Sequence, residues 1–188
     1  MKNLLITAFD PFGGADHNPS EMALALLPET VGEFKLCKCV VPTVFGAATE
    51  AALAAAESAA PDVVLCIGVA VGRDAVTPER VAVNVRDARI ADNAGNQPVD
   101  APVVEDGPAA YFATVPLKAM VSALEYAGLP TKVSNTAGTF VCNDLFYALC
   151  HHFAGSKTQV GFIHVPALDV LSVEQIARAL EIAIAACE

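Results

Sequence analysis

Apolar positions along this chain follow two alternating rhythms. Asn3 to Phe9 (NLLITAF) is a continuous apolar, β-branched run that stops at Asp10-Pro11, which predicts a buried strand. DPFGGADHNP concentrates Pro, Gly, Asp and Asn and reads as a loop, after which Ser20 caps a short helix over EMALALL. FKLCKCVV (34–41) alternates with a period of two and is a strand stopped by Pro42. The Ala-rich stretch 43–60 is a helix closed by Pro61, and DVVLCIGVA (62–70) is a second buried strand.

From Gly68 to Pro108 the pattern is irregular apart from one strand-like run, RVAVNV. A stretch this long without periodicity is functional or disordered, and its apolar content argues for order. Regularity then returns. PLKAMVSALEYAG is an amphipathic helix with Gly128 past its end. TKVSN (131–135) is a short strand, FVCNDLFYALCHHFAG a helix, QVGFIHVP a strand and SVEQIARALEIAIAAC the last helix. Strands and helices alternate, so the fold class is α/β with a mostly parallel, twisted central sheet in a single domain spanning 1–188. Ligands of such sheets lie beyond the carboxyl ends of the strands.

Composition narrows this further. Of 188 residues, 54% are hydrophobic and 17% charged, a surplus of apolar surface that points to a doubly covered sheet and to a homo-oligomer. The net charge of −10, with no basic run, argues against nucleic acid and anionic membrane as partners. None of the six cysteines forms a CxxC pair, and Cys37 and Cys39 share a strand face without disulfide geometry. KNLLITAF is too short for a signal segment, and no apolar run spans a bilayer. The expectation is a soluble, reduced, cytoplasmic protein.

The candidate chemistry gathers at strand ends. Cys142 sits where an apolar turn gives way to a helix, and the unpaired N–H groups and partial positive charge of a helix start favour a thiolate. Free cysteines are usually buried core residues, which suffices for the other five. A thiolate needs a base. His17 lies in a loop, and His151 and His152 lie too far along the same helix as Cys142. His164, at the end of an apolar strand, is either a core histidine or that base. Its orienting carboxylate is Glu79, Asp74, Asp87 or Asp92, and Glu79 could instead be a surface residue paired with Arg80. FDPFGG and GVAVGR lack the spacing of phosphate loops. Cys150, His151 and His152, being adjacent, point in different directions, so no metal is expected.

The motifs FDPFGG…NPS, GVAVGR…TPERVAVN…DARIADNAGNQP, DGPAAYFATVP, SNTAGTFVCN and GFIHVP, in order from Ile6 to Pro166, resemble the pyrrolidone carboxyl peptidases, or pyroglutamyl peptidases of type I. The resemblance implies cofactor-free cysteine peptidases that remove N-terminal pyroglutamate from peptides, on an α/β/α sandwich, often as tetramers. It places a Cys-His-Glu triad on Cys142, His164 and Glu79. It places the oxyanion on the Cys142 N–H and a donor near Arg89. Pocket walls fall on Phe9, Phe12, Phe140 and Val141, and lactam contacts on the backbone around Asn18 and Val69. The chain departs from the family at Ala8, whose methyl lies close to the DPFGG loop, at Val69, and at Asp144, a carboxylate that would raise the Cys142 thiol pKa if it pointed that way. One rival is an enzyme like the purine nucleoside phosphorylases, with Arg73, Arg86 and Arg89 recruited for phosphate. Another is a binding module without activity, against which the complete triad argues.

Overall fold

A computed structural model describes residues 1–187. Six strands form the central sheet in the order β2 (Thr30–Val31), β3 (Phe34–Val41), β1 (Lys2–Phe9), β4 (Val63–Val69), β8 (Gln159–Val165) and β5 (Thr77–Pro78). The four central strands run parallel, and the short edge strands β2 and β5 run antiparallel to their neighbours. A separate hairpin-like pair joins β6 (Val81–Val83) to β7 (Ala110–Phe112).

The period of two sorts each strand between two cores. Leu4, Ile6 and Ala8 of β1, Leu65 and Ile67 of β4, and Ile163 and Val165 of β8 face one layer. It holds α1 (Pro19–Leu26), α3 (Leu117–Tyr126) and α5 (Val173–Ala185). Leu5, Phe9, Val64, Cys66, Val160 and Phe162 face the other, which holds α2 (Ala47–Ala59) and α4 (Val141–His152). The result is the expected α/β/α sandwich, and burial of the central strands on both faces explains their unbroken apolar runs. Ala8 points into the α1 and α5 side, so its methyl group fills core.

Several local expectations are corrected. Asn18, not Ser20, caps α1: its side chain accepts from Ser20 N at 3.0 Å, and Pro19 takes the first helical turn. Helix α2 starts at Ala47 rather than Thr43, because Gly46 stands at φ +76°, outside helical conformation, and three carboxylates hold the amides before the helix. Asp10 takes Thr43 N (2.7 Å), Asp92 takes Phe45 N (3.0 Å) and Asp144 takes Gly46 N (2.9 Å). Residues 131–135 make only isolated bridges to Val76 and Glu79. Val76 O accepts from Lys132 N and Pro78 O from Ser134 N, but Pro78 has no N–H to return to Lys132, so the ladder cannot continue.

Candidate active site

Strand parity builds the site. Gly68 on β4 pairs in register with His164 on β8. Both follow residues (Cys66, Phe162) that face α4, two positions on, so both present that face. Thr77 pairs antiparallel with His164, and Glu79 N donates to Phe162 O at 2.8 Å. Residues opposite each other in an antiparallel pair share a face, which puts Glu79 beside the imidazole. His164 Nδ1 lies 2.7 Å from Glu79 Oε1, with both residues buried. The carboxylate fixes the proton on Nδ1 and leaves Nε2 as the basic nitrogen.

Cys142 arrives from the opposite layer. The turn before it bends at Gly138, whose φ of +79° suits a residue without a side chain. Cys142 is the second residue of α4, where a backbone N–H has no partner within the helix. Its sulfur rests on Gly68: a methyl group there would stand 3.0 Å from Sγ and 3.1 Å from Phe162 Cζ. The Phe162 ring in turn packs on His164 with centroids 4.7 Å apart. Asn143, fully buried, fastens this helix start by accepting from Val83 N (2.9 Å) and donating to Val83 O and Val85 O.

Cys142 and His164 open into one cleft of about 610 Å³, also lined by Phe12, Val69, Phe140, Arg73, Asp87 and Arg89. Phe12 and Phe140 lean together with centroids 6.4 Å apart, and Phe45 braces Phe140 edge-on at 5.3 Å. Three residues expected in the pocket lie outside its walls. Phe9 is buried against Phe162, Val141 is wholly in the core, and Asn18, expected to act through its backbone, is buried with its side chain on Ser20 and on Asp10 O (3.0 Å).

Two of the three rival carboxylates are engaged elsewhere. Asp74 is exposed and pairs with Lys132 at 2.8 Å. Asp92 is buried in its own loop. Burial raises its pKa, but hydrogen bonds from Asn96, Phe45 and Ala94 prevail and hold it below the usual value. Asp87 stands exposed on the cleft wall. The cation of Glu79 is Arg73 (2.6 Å), not Arg80. Asp144 turns to Arg86 Nε (2.5 Å) and Gly46, away from the thiol. With Arg73 and Arg86 each on a carboxylate, only Arg89 of the three arginines stays outside an ion pair among the described residues, a poor phosphate site. Among those residues no group of three or more His, Cys, Asp or Glu could hold a metal, and no helix is long and apolar enough to cross a membrane.

Protonation differs from the sequence expectation. Burial pushes the Cys142 thiol up to about 12, and the charge of Glu79 adds to this, outweighing Arg73 and the residue's own backbone N–H. Burial also holds the His164 imidazole below its ordinary 6.5, against the opposing pull of Glu79. Both shifts run towards the neutral forms, thiol and imidazole, although Cys142 is only half-buried at the cleft.

Sequence reasoning left Asn143 and Arg73 without these roles. The signal for Asn143 was a polar side chain in the first turn of an apolar helix; Arg73 had none beyond its place in a loop at a strand end.

Comparison with known proteins agrees with this architecture. The family described as "Pyroglutamyl peptidase" matches residues 2–187. Pyrrolidone-carboxylate peptidase of Bacillus thuringiensis is 53% identical over 171 residues, covering 89% of this chain and 80% of the relative. The crystal structure of Bacillus amyloliquefaciens pyroglutamyl peptidase I superposes with a TM-score of 0.96 at 41% identity, over 100% of this chain and 97% of that one. Pyrrolidone carboxyl peptidase from Thermococcus litoralis does so with a TM-score of 0.94 at 34% identity, over 100% and 93%. With the sandwich and the cysteine cleft in place, this chain belongs to the pyroglutamyl peptidase family of cysteine-type peptidases.

Proposed function

We propose that the chain hydrolyses the bond after an N-terminal pyroglutamyl residue of a peptide, with Cys142 as nucleophile, His164 as base and then acid, and Glu79 as the group that orients His164. The observation that carries this reading is the convergence of Cys142 and His164 on one cleft, with Glu79 holding the rear of the imidazole at 2.7 Å.

A pyroglutamyl group is a neutral lactam, so its recognition needs apolar walls and a few polar backbone contacts. Phe12, Phe140 and Val69 supply the walls. The cleft of about 610 Å³ exceeds one lactam ring, and the exposed Val71 and Ile90 at its mouth would meet the residue that follows. His164 Nε2 takes the proton of the Cys142 thiol as sulfur attacks the pyroglutamyl carbonyl carbon. With both groups in their neutral forms, this transfer is part of the attack. The oxyanion is met by the Cys142 N–H at the start of α4, with Arg89 on the cleft wall as the second donor. The imidazolium returns its proton to the departing amine, leaving a thioester. A water then gives a proton to His164 and its oxygen to the acyl carbon, releasing pyroglutamate and restoring the thiol.

Release of arylamine from a pyroglutamyl-arylamide tests the proposal. Cys142→Ser and His164→Ala should each lose on the order of 10⁴- to 10⁶-fold in kcat with the fold intact. Glu79→Gln should lose less. Normal turnover by Cys142→Ser refutes the nucleophile. Phosphorolysis of a nucleoside that survives alkylation of Cys142 would favour the phosphorylase reading. The large exposed side chains of Phe112, Val99 and Tyr126 support a homo-oligomer, a tetramer by family resemblance, which light scattering would read.

A further inference from the structure

Arg73 has no part in the chemistry above, yet its guanidinium reaches three separate pieces of the site. Nη1 donates to Glu79 Oε1 at 2.6 Å and to Thr77 Oγ1 at 2.6 Å. Nη2 donates to the carbonyl of Thr136 at 3.0 Å. Two of these contacts lead to His164 and the third to Cys142. Glu79 Oε1 is the same atom that faces His164 Nδ1. The Thr77 hydroxyl donates to the backbone carbonyl of His164 at 3.3 Å. Thr136 opens the turn that delivers Cys142.

The carboxylate depends on this grip. Glu79 Oε2 is buried and has no hydrogen-bond partner among the described residues, so the orientation of the group rests on Oε1 alone. The Glu79 side chain is fully covered, and a buried carboxylate without a compensating cation is costly. Arg73, 27% exposed, compensates it from the cleft wall.

We infer that Arg73 is a positioning residue for the hydrolysis. Its fork locks Glu79 onto His164 while tying the Cys142 turn to the same sheet edge. This rests on the Cys142, His164 and Glu79 assignment proposed above.

The charges around His164 are few. Glu79 and Thr77 face it from β5 and the residue beyond, Cys66 lies on β4, Cys142 on α4 and Arg73 in the loop after β4. Asp144 of α4 is turned away onto Arg86, and Asp74 is taken by Lys132 outside the site. Asp87 and Arg89 line the same cleft without contacting Glu79, so removing the Arg73 charge leaves Glu79 without its paired cation. Protons bind more tightly at both His164 and Cys142, and both titrations move to higher pH.

Arg73→Met and Arg73→Lys test this with two readouts. Alkylation of Cys142 by iodoacetamide, followed by peptide mass spectrometry across a pH series, reads the thiol without any substrate. Steady-state kinetics on a pyroglutamyl-arylamide read kcat and KM separately over the same range. In Arg73→Met, kcat should fall about 10²-fold, the scale of a misplaced catalytic group, with KM unchanged. The acid limb of kcat/KM and the alkylation curve should both move up in pH. Arg73→Lys should return both curves to the wild-type position but keep a reduced kcat, because an ammonium is a point charge without the planar fork that spans Glu79 and Thr136. Unmoved curves in Arg73→Met overturn the inference, as does a loss confined to KM or a wild-type kcat in Arg73→Lys. If Arg73→Met does not fold, Arg73→Lys alone decides between these outcomes. Failure of the wild type to cleave any pyroglutamyl substrate would sink the proposed function, whereas the alkylation curves would still decide the role of Arg73.

Discussion

The sulfur of Cys142 lies where a side chain on Gly68 would stand, and this placement can be tested by one methyl group. Gly68→Ala would place a Cβ 3.0 Å from Cys142 Sγ and 3.1 Å from Phe162 Cζ. Ordinary contact begins at 3.4 Å, so the sulfur must retreat by at least about 0.4 Å, the difference between those two distances. Phe162 offers little room, being buried between Phe9, Phe146 and the His164 ring. The backbone itself accepts Ala, since Gly68 lies within β4 and its φ is not positive. Overpacking of this kind costs about 1–3 kcal/mol of stability. The larger effect falls on rate. A nucleophile displaced by a good fraction of an ångström from its base and the attacked carbon loses on the order of 10- to 100-fold in kcat. KM should change little, because Phe12 and Phe140 lie on another wall. The assay is arylamide release at saturating and limiting substrate, with a thermal melt of the same preparation. Wild-type kcat and wild-type melting temperature in a folded Gly68→Ala enzyme would refute the placement of the sulfur over β4. A lower melting temperature with unchanged kcat would show that Phe162, not Cys142, absorbs the methyl group.

Two further outcomes follow from the same geometry. Asp144→Asn removes the buried partner of Arg86 and should cost about 2–3 kcal/mol in urea unfolding, less than a fully buried pair because Arg86 is 27% exposed and can turn to water. A loss below about 0.5 kcal/mol would contradict the role of Asp144 in holding the residues before α2. His164, held below its ordinary 6.5, gives a pH signature of defined sign. As pH falls through 6.5 the unfolded chain binds a proton that the native state still refuses, so stability is full above 6.5 and declines below it. Denaturant midpoints should show this decline in the wild type and a weaker one in His164→Gln. In the free enzyme, alkylation of Cys142 should still be rising above pH 9.0, the ordinary thiol value, and a plateau near neutrality would contradict the neutral pair.

Much of the fold was legible along the chain because its causes are local. Strands buried on both faces need unbroken apolar runs, and Lys2–Phe9 and Val63–Val69 carry them within a residue or two of the expected limits. Where local reasoning failed, something distant had intervened. Residues 43–46 read as part of the Ala-rich helix, but Gly46 stands at φ +76°, outside helical conformation, and the carboxylates of Asp10, Asp92 and Asp144 hold the amides of Thr43, Phe45 and Gly46. Residues 131–135 look extended, but their neighbour is a proline.

The site divides in the same way. Cys142 at a helix start and His164 at a strand end could be singled out from position, because both features are written in adjacent residues. Which of four carboxylates meets the imidazole was undecided until β5 paired antiparallel with β8, bringing together groups 85 residues apart. Arg73 acquired its place for the same reason. The burial that pushes the thiol up was not legible from sequence, because a helix start acts through neighbouring amides whereas desolvation sums over every atom packed around the thiol. Element order and the chemistry on offer are properties of short stretches, so the sequence alone determined them. Partnership and protonation depend on distance and dielectric through space, and only the tertiary structure decided those.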